Sequence, residues 1–422
     1  MSYDSIRTVG HGADPARAFR LLGLWQGASI SLQAAAALLG EPDDDVAEML
    51  ESLVDVNLLE SAAPDWYRFH DLLKVYAMDR AQAEEPEAAR EEAVSRLLWW
   101  YLDTAQAAAD TVSPQRYQVP REPTPRAHPP LTFDSTEAAL TWYDAERANI
   151  VAVTRQAASA GLHEIAWQVT ATAGPLFNRR SNWADCVTAN RVAVESAAKA
   201  GHRPGEAWVL SQLGFALASL HDPEAIGFLE RALAIRQELG DTRGEAQTAI
   251  ALGEAHLRAH GPGEDALRYL GRAASLLEPM GAFSLRSVAL NNLGEVHFEL
   301  GDLDAAAECY LQALRIDREI GGHVEGHALH NLGHVYLRQH RLSEAIARFR
   351  EALSRHRAVG SLGGEAATLM HLGEAQVESG DEVGARTSLT GALRIFTQIG
   401  DQQQAAETTA LLKSLPNGQG ER

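Results

Sequence analysis

A Leu-Gly pair recurs at 213–214, 252–253, 293–294, 332–333 and 372–373, at successive offsets of 39, 41, 39 and 40 residues. Self-similarity near 40 residues marks stacked supersecondary units, and it limits the possible folds more than any other feature of the chain. Two alanines follow each pair in step: Ala225 and Ala232, Ala266 and Ala273, Ala306 and Ala313, Ala345 and Ala352, Ala385 and Ala392. Each unit then closes on Gly240, Gly281, Gly321, Gly360 or Gly400. Small residues let two helices cross closely, and a terminal glycine supplies the left-handed conformation that stops the second helix. The unit is therefore a helical hairpin. In ALNNLGEVHFELGDLDAAAECYLQALRIDREIG (289–321), apolar positions recur at helical spacing on both sides of a Gly-Asp turn. One hairpin cannot bury its own apolar face, so the units must stack. A degenerate unit precedes the clear ones, with Gly174, Ala193 and Gly201 one period before Gly214, Ala232 and Gly240, although FNRRSNW (177–183) departs from the usual turn. Residues 404–414 read as a closing helix, which makes six hairpins and a cap.

Composition narrows the functional classes. The 422 residues allow two or three domains, and 45% hydrophobic content with 6% aromatics suits a mostly helical chain. A formal charge of −20 repels phosphate backbones at long range. Cys186 and Cys309 are the only cysteines, so neither a disulfide framework nor a thiolate zinc cluster is expected. MSYDSIRTVGHGADPAR lacks the apolar stretch of a signal peptide, and no segment holds the roughly 18 uninterrupted apolar residues of a membrane span. A cytoplasmic location is the expectation.

Ahead of the repeats, residues 15–81 alternate short helical stretches, PARAFRLLGLWQG, SLQAAAALLG and DDDVAEMLESLVDVNLLES, and then a short DWYRFHD suggests a hairpin wing. Ser31 precedes an apolar run as a helix cap, and Asp43 to Asp45 stand at a helix start, where carboxylates suit the dipole. The pattern reads as a winged helix over 1–85. If it met DNA, its third helix would enter the major groove, yet that helix carries Asp43, Asp44, Asp45, Glu48, Glu51 and Asp55 without one basic residue. Direct DNA reading by this chain is not expected. A helix over about 86–111 and six prolines within 112–130 make 86–135 a helix and connector. A bridging helix over 136–163, the array over 164–414 and a flexible tail over 415–422 complete the expected domains.

The repeat residues resemble tetratricopeptide repeats (TPR) of the longer, roughly 40-residue kind, over about 164–403. The implied fold class is all-α: a right-handed TPR superhelix of helical hairpins preceded by a small winged-helix domain. In that family the first helix of each hairpin lines the concave surface. By that resemblance a partner-binding groove is formed by Trp208, Gln212, Phe215, Gln247, Glu254, Asn291, Asn292, Glu295, His327, His330, Asn331, His334, Arg338, His371 and Glu374. Asn and Gln both donate and accept, so a ladder of them can bond an extended peptide backbone without demanding one sequence. Ala251 interrupts this ladder and His371 replaces an amide.

The histidines His327, His330 and His334 fall at i, i+3 and i+7 on one helix face, near Glu295 and Glu374. Such spacing could chelate zinc. With no HExxH motif and with histidines common in polar grooves, no metal site is assigned, and a pH-sensitive contact is the favoured role.

The stretch ARAFRLLGL, AAALLG and LLESAAPDWYRFHDLLKVYA is similar to the winged-helix segment behind the NB-ARC nucleotide-binding core of STAND-class regulators. It resembles in particular the AfsR-like members of the Streptomyces antibiotic regulatory protein family, and WYDAERANIVAV (142–153) also looks like them. RFHD would correspond to their Met-His-Asp motif, with Phe69 in place of Met. By that resemblance His70 would approach the diphosphate of bound ADP while Asp71 braces the turn. A phosphate loop needs a Gly-Lys step, and none of Lys74, Lys199 or Lys413 follows a glycine. No cofactor is expected, and ADP or ATP enters only if an NB-ARC domain is supplied elsewhere, in cis or in trans. Without that domain, His70 reads as a wing-to-helix contact. The chain shows no Gly-rich dinucleotide loop and no G-x-S-x-G elbow. The expected function is a non-enzymatic sensor module of an AfsR-like transcriptional regulator, taking a peptide or protein partner in the groove. Its alternatives are a stand-alone TPR adaptor or peptide-sensing regulator and, third, a small-molecule-binding or catalytic protein using the His-rich groove.

Overall fold

A computed structural model describes residues 14–114, 128–321 and 324–415. Most of the Pro-rich connector, the start of the N-terminal module and nearly all of the tail lie outside the described residues. Those described form nineteen helices and one three-stranded sheet. None of these helices is long and apolar enough to cross a membrane.

The N-terminal part runs α1 (Pro15–Leu22), β1 (Ile30–Ser31), α2 (Leu32–Leu39), α3 (Asp43–Asp55), β2 (Glu60–Ala63) and β3 (Trp66–Arg68). The Asp14 side chain caps α1 by accepting from Arg17 N, with Pro15 in the first turn, where its missing N–H costs nothing. β3 lies between β1 and β2, antiparallel to both, with Ile30 opposite Tyr67 and Glu60 opposite Arg68. α3 turns Val46, Met49, Leu50 and Leu53 into the core and leaves Asp44, Asp45, Glu48, Glu51 and Asp55 exposed. That spacing puts the apolar residues on one stripe and the carboxylates on the other. Phe19, Leu38, Leu50 and Tyr67 share this core with Trp100 and Tyr101 from α5 (Glu87–Val112), which follows α4 (Asp71–Glu84).

After α6 (Thr136–Ser159) the chain folds into six hairpins: α7–α8 (His163–Arg180, Trp183–Lys199), α9–α10 (Arg203–Ser219, Glu224–Leu239), α11–α12 (Thr242–His260, Glu264–Leu277), α13–α14 (Phe283–Leu300, Leu303–Ile320), α15–α16 (Glu325–Arg338, Leu342–Ala358) and α17–α18 (Leu362–Glu378, Glu382–Ile399). α19 (Gln402–Ser414) closes the series. The five unit-closing glycines all adopt positive φ, from +62° at Gly281 to +78° at Gly400. Asp241, Asp302, Asp381 and Asp401, each next after a glycine, cap the following helix by accepting a backbone N–H three residues on. The glycine of each Leu-Gly pair marks the crossing itself. A Cβ on Gly333 would stand 2.7 Å from the Phe349 ring, and one on Gly373 2.6 Å from Leu389. The second helix therefore drives a large side chain against the bare backbone of the first.

By compactness the chain divides into Met1–Ile235 and Arg236–Arg422. The division falls inside the expected 164–414 array. In a repeat architecture each hairpin contacts only its neighbours, so compactness need not follow boundaries drawn from sequence.

Candidate functional site

Stacking gives the residue just before four of the five Leu-Gly pairs, all but Ala251, a common role, in which it reaches back to the first helix of the preceding hairpin. On α9, Gln212 Nε2 donates to the Ala171 carbonyl at 2.9 Å. On α13, Asn292 Nδ2 donates to Glu254 Oε1 at 2.6 Å, and on α15 Asn331 Nδ2 donates to Asn291 Oδ1 at 3.2 Å. On α17 the same position holds His371, whose ring lies 3.8 Å, centroid to centroid, from that of His334. The expected amide ladder is thus partly spent on joining hairpins. Its members remain half-buried, each with capacity for a further hydrogen bond.

The other groove candidates separate by environment. Trp208 and Phe215 are half-buried on α9, and Phe215 meets Trp183 edge-on at 5.7 Å. Gln247 is half-buried on α11. Glu295 is exposed, yet desolvation by the surrounding protein, then the charges of Glu299 and Glu254, raise its carboxyl above the ordinary range. Burial, then Glu378 and Glu407, raise Glu374 likewise. Arg338 lays its guanidinium 5.4 Å over the Phe298 ring.

The histidines regroup relative to the sequence expectation. His327 meets His356 edge-on at 5.0 Å and is not one of the three rings that come together. His371 takes its place beside His330 and His334, which stack at 5.1 Å, with Phe349 against all three. One ligand-capable nitrogen from each of these three rings lies within 4.8 Å of the others, the single such group of three found among the described residues. Burial, then His371 and the other nearby histidines, hold His330 well below its ordinary value. Burial and Arg338 bring His334 down to about 4, and burial and His334 bring His371 to about 3. All three are neutral bases at neutral pH.

His70 stands exposed at the N-cap position of α4, its Nε2 3.5 Å from Glu60 Oε1 on β2, and Asp71 opens the helix. The contact joins β2 to the start of α4. The N-terminal part also holds a site that the sequence does not announce. Glu146 on α6 is 1% exposed and accepts from Ser31 Oγ at 2.7 Å, Tyr101 Oη at 2.9 Å and Asn149 Nδ2 at 2.7 Å. Ser31 occupies the cap position of α2 but makes no capping bond, because its hydroxyl is committed to Glu146. Burial raises the Glu146 carboxyl although three donors oppose the shift. The only sequence clue is that Glu146 and Asn149 both lie within WYDAERANIVAV.

A tetratricopeptide repeat family model matches residues 285–358 and 324–398. The regulatory protein AfsR of Streptomyces griseus is 32% identical over 94% of this chain and 44% of its own length. The AfsR protein of Streptomyces coelicolor is 50% identical over 34% of this chain and 15% of its own. The chain thus spans less than half the length of either relative. Among solved structures, a signal transduction ATPase with numerous domains (STAND) that carries a tetratricopeptide repeat sensor, from Pyrococcus horikoshii, aligns with 98% of this chain and 60% of its own. The TM-score is 0.52 at 13% identity, a likeness of fold alone. The chain carries tetratricopeptide repeats within 285–398 and is similar, along almost its whole length, to the regulatory protein AfsR of Streptomyces griseus.

Proposed function

We propose that this chain is the non-enzymatic sensor part of an AfsR-like regulator. The observation that carries this reading is the similarity of 94% of the chain to a regulatory protein of more than twice the aligned length. The hairpins take a peptide or protein partner along their first helices, where half-buried amides, carboxylates and aromatics offer both donors and acceptors. The N-terminal part serves as a winged helix, which its order of helix, strand, two helices and two strands supports. Its acidic α3 and exposed His70 suit docking on a nucleotide-binding NB-ARC domain, in cis or in trans, rather than DNA. ADP or ATP enters only through that domain.

A random-sequence peptide display library panned against the full chain tests the groove. Enriched peptides should bind Gln247→Ala and Glu295→Ala variants at least tenfold more weakly, about 1.4 kcal/mol each. Asn292 and Asn331 are avoided because they join hairpins, so that loss of binding is not confused with loss of stacking. Peptides that bind both variants unchanged would remove the groove from the reading.

A further inference from the structure

His330, His334 and His371 are arranged for more than packing. His330 and His334 sit at i and i+4 on α15, the spacing that turns two imidazoles to one side of a helix. His371 comes from α17, the first helix of the next hairpin. Nitrogens bound to a tetrahedral ion at 2.0–2.1 Å lie about 3.3 Å apart. The trio, already within 4.8 Å, needs only small side-chain rotations to close on such an ion.

Two hydrogen-bonding details point the same way. The Thr368 hydroxyl, buried on α17, donates to the Gly364 carbonyl at 2.7 Å and lies 2.9 Å from His330 Nδ1. A carbonyl can only accept, so the one hydroxyl proton is committed there and Thr368 Oγ1 must accept from His330 Nδ1–H. That fixes the tautomer and leaves the His330 lone pair on Nε2. This is the arrangement by which an outer hydrogen bond orients a ligating imidazole. Second, His334 Nε2 is buried without any hydrogen-bond partner, while the His371 ring is held by the Ala367 backbone. Buried polar atoms are rarely left unsatisfied.

We infer that His330, His334 and His371 form a three-histidine site for a zinc-class divalent cation, joining α15 to α17. No fourth protein ligand joins the trio among the described residues. The fourth tetrahedral position is open to water or to a donor atom on a bound molecule. Imidazole ligands favour Zn²⁺, Co²⁺, Ni²⁺ and Cu²⁺ over Mg²⁺ or Ca²⁺. This inference does not rest on the regulator reading, because it needs only the three rings and Thr368.

The test uses the full chain without a histidine tag, stripped of metal and titrated with Co²⁺ and then Zn²⁺. The expected result is one ion per chain, with the intense visible absorption of four-coordinate Co²⁺ bleached by Zn²⁺. His334→Ala and His371→Ala should each weaken binding at least 100-fold, and His327→Ala should leave it unchanged. Thr368→Val should weaken it roughly 10- to 100-fold while keeping the four-coordinate spectrum. Arg338, whose charge already disfavours a cation at His334, supplies a gain-of-function arm: Arg338→Ala should bind more tightly, a result that damaged folding cannot imitate. Substoichiometric uptake, the pale spectrum of six-coordinate Co²⁺, or affinity indifferent to His334→Ala and His371→Ala would overturn the assignment.

Discussion

Glu146 shows how much of this chain is decided by single side chains. A carboxyl with no cationic partner is costly to bury, and here three donors from β1, α5 and α6 offset that cost. Glu146→Ala would leave the Ser31 and Tyr101 hydroxyls without their acceptor and the Asn149 amide with only the Tyr101 oxygen at 3.3 Å, a loss on the order of 3 kcal/mol. Hydrogen exchange over residues 14–235 should register it as lost protection. The pH dependence has a definite sign. The folded state holds the Glu146 proton more tightly than an unfolded chain, whose value is near 4.5. Its contribution to stability is therefore complete below about that pH and is lost as pH rises through the raised folded-state value. Glu146→Gln cannot titrate, so the difference in unfolding free energy between wild type and variant should shift against wild type over that window. A pH-independent difference would mean that Glu146 is not the titrating group. None of this was legible in the sequence: the Ser31 and Tyr101 partners lie 115 and 45 residues from Glu146, and no periodicity links them. Thr368 and the exchange of His371 for His327 were hidden too, because the period aligns His371 with Asn331 but does not say which rings come together.

At the level of the hairpin the sequence was far more informative, because the repeat encodes the crossing directly. The glycine of each Leu-Gly pair is set by contact rather than by backbone conformation, which separates two kinds of helical glycine. Gly271, within α12, has nothing within 4 Å of an added Cβ. Gly271→Ala should therefore gain about 0.5–1 kcal/mol from helix propensity and a less flexible unfolded chain. Gly333→Ala gains the same propensity but drives a methyl to 2.7 Å from Phe349. Overpacking of that kind costs about 1–3 kcal/mol, so its net effect should be destabilising. Chemical denaturation of the two variants side by side checks the opposite signs. What the period could not supply is how neighbouring first helices meet. Asn292 and Asn331 looked like free ligand contacts, and their role in joining hairpins emerges only once Glu254 and Asn291 are placed beside them.

For the whole molecule, the question is whether the hairpins of Arg236–Arg422 behave as one globular core or as a one-dimensional stack. Hairpin-to-hairpin packing favours the stack, in which stability is close to a sum of unit terms and neighbour terms. α19 is the informative end. Ala405, Leu411 and Leu412 pack against the cluster that holds Leu389, Ile395 and Phe396 of α18, while the opposite side of α19 carries exposed Gln402, Gln403 and Glu407. Ending the chain at Gly400 would return that apolar surface to water. At about 25 cal/mol per Å², uncovering a few such side chains costs on the order of 2–4 kcal/mol. In a stack the loss should be graded: hydrogen-exchange protection falls most in α17 and α18, less in α15 and α16, and little in α11. A globular core would lose protection together, because cooperative units open as wholes. The same truncation should also promote self-association, since it uncovers a stacking face shaped to receive another helix. Light scattering at rising concentration reads that directly, and a strictly monomeric truncated chain with uniformly lowered protection would make this region one cooperative domain rather than a stack closed by its last helix.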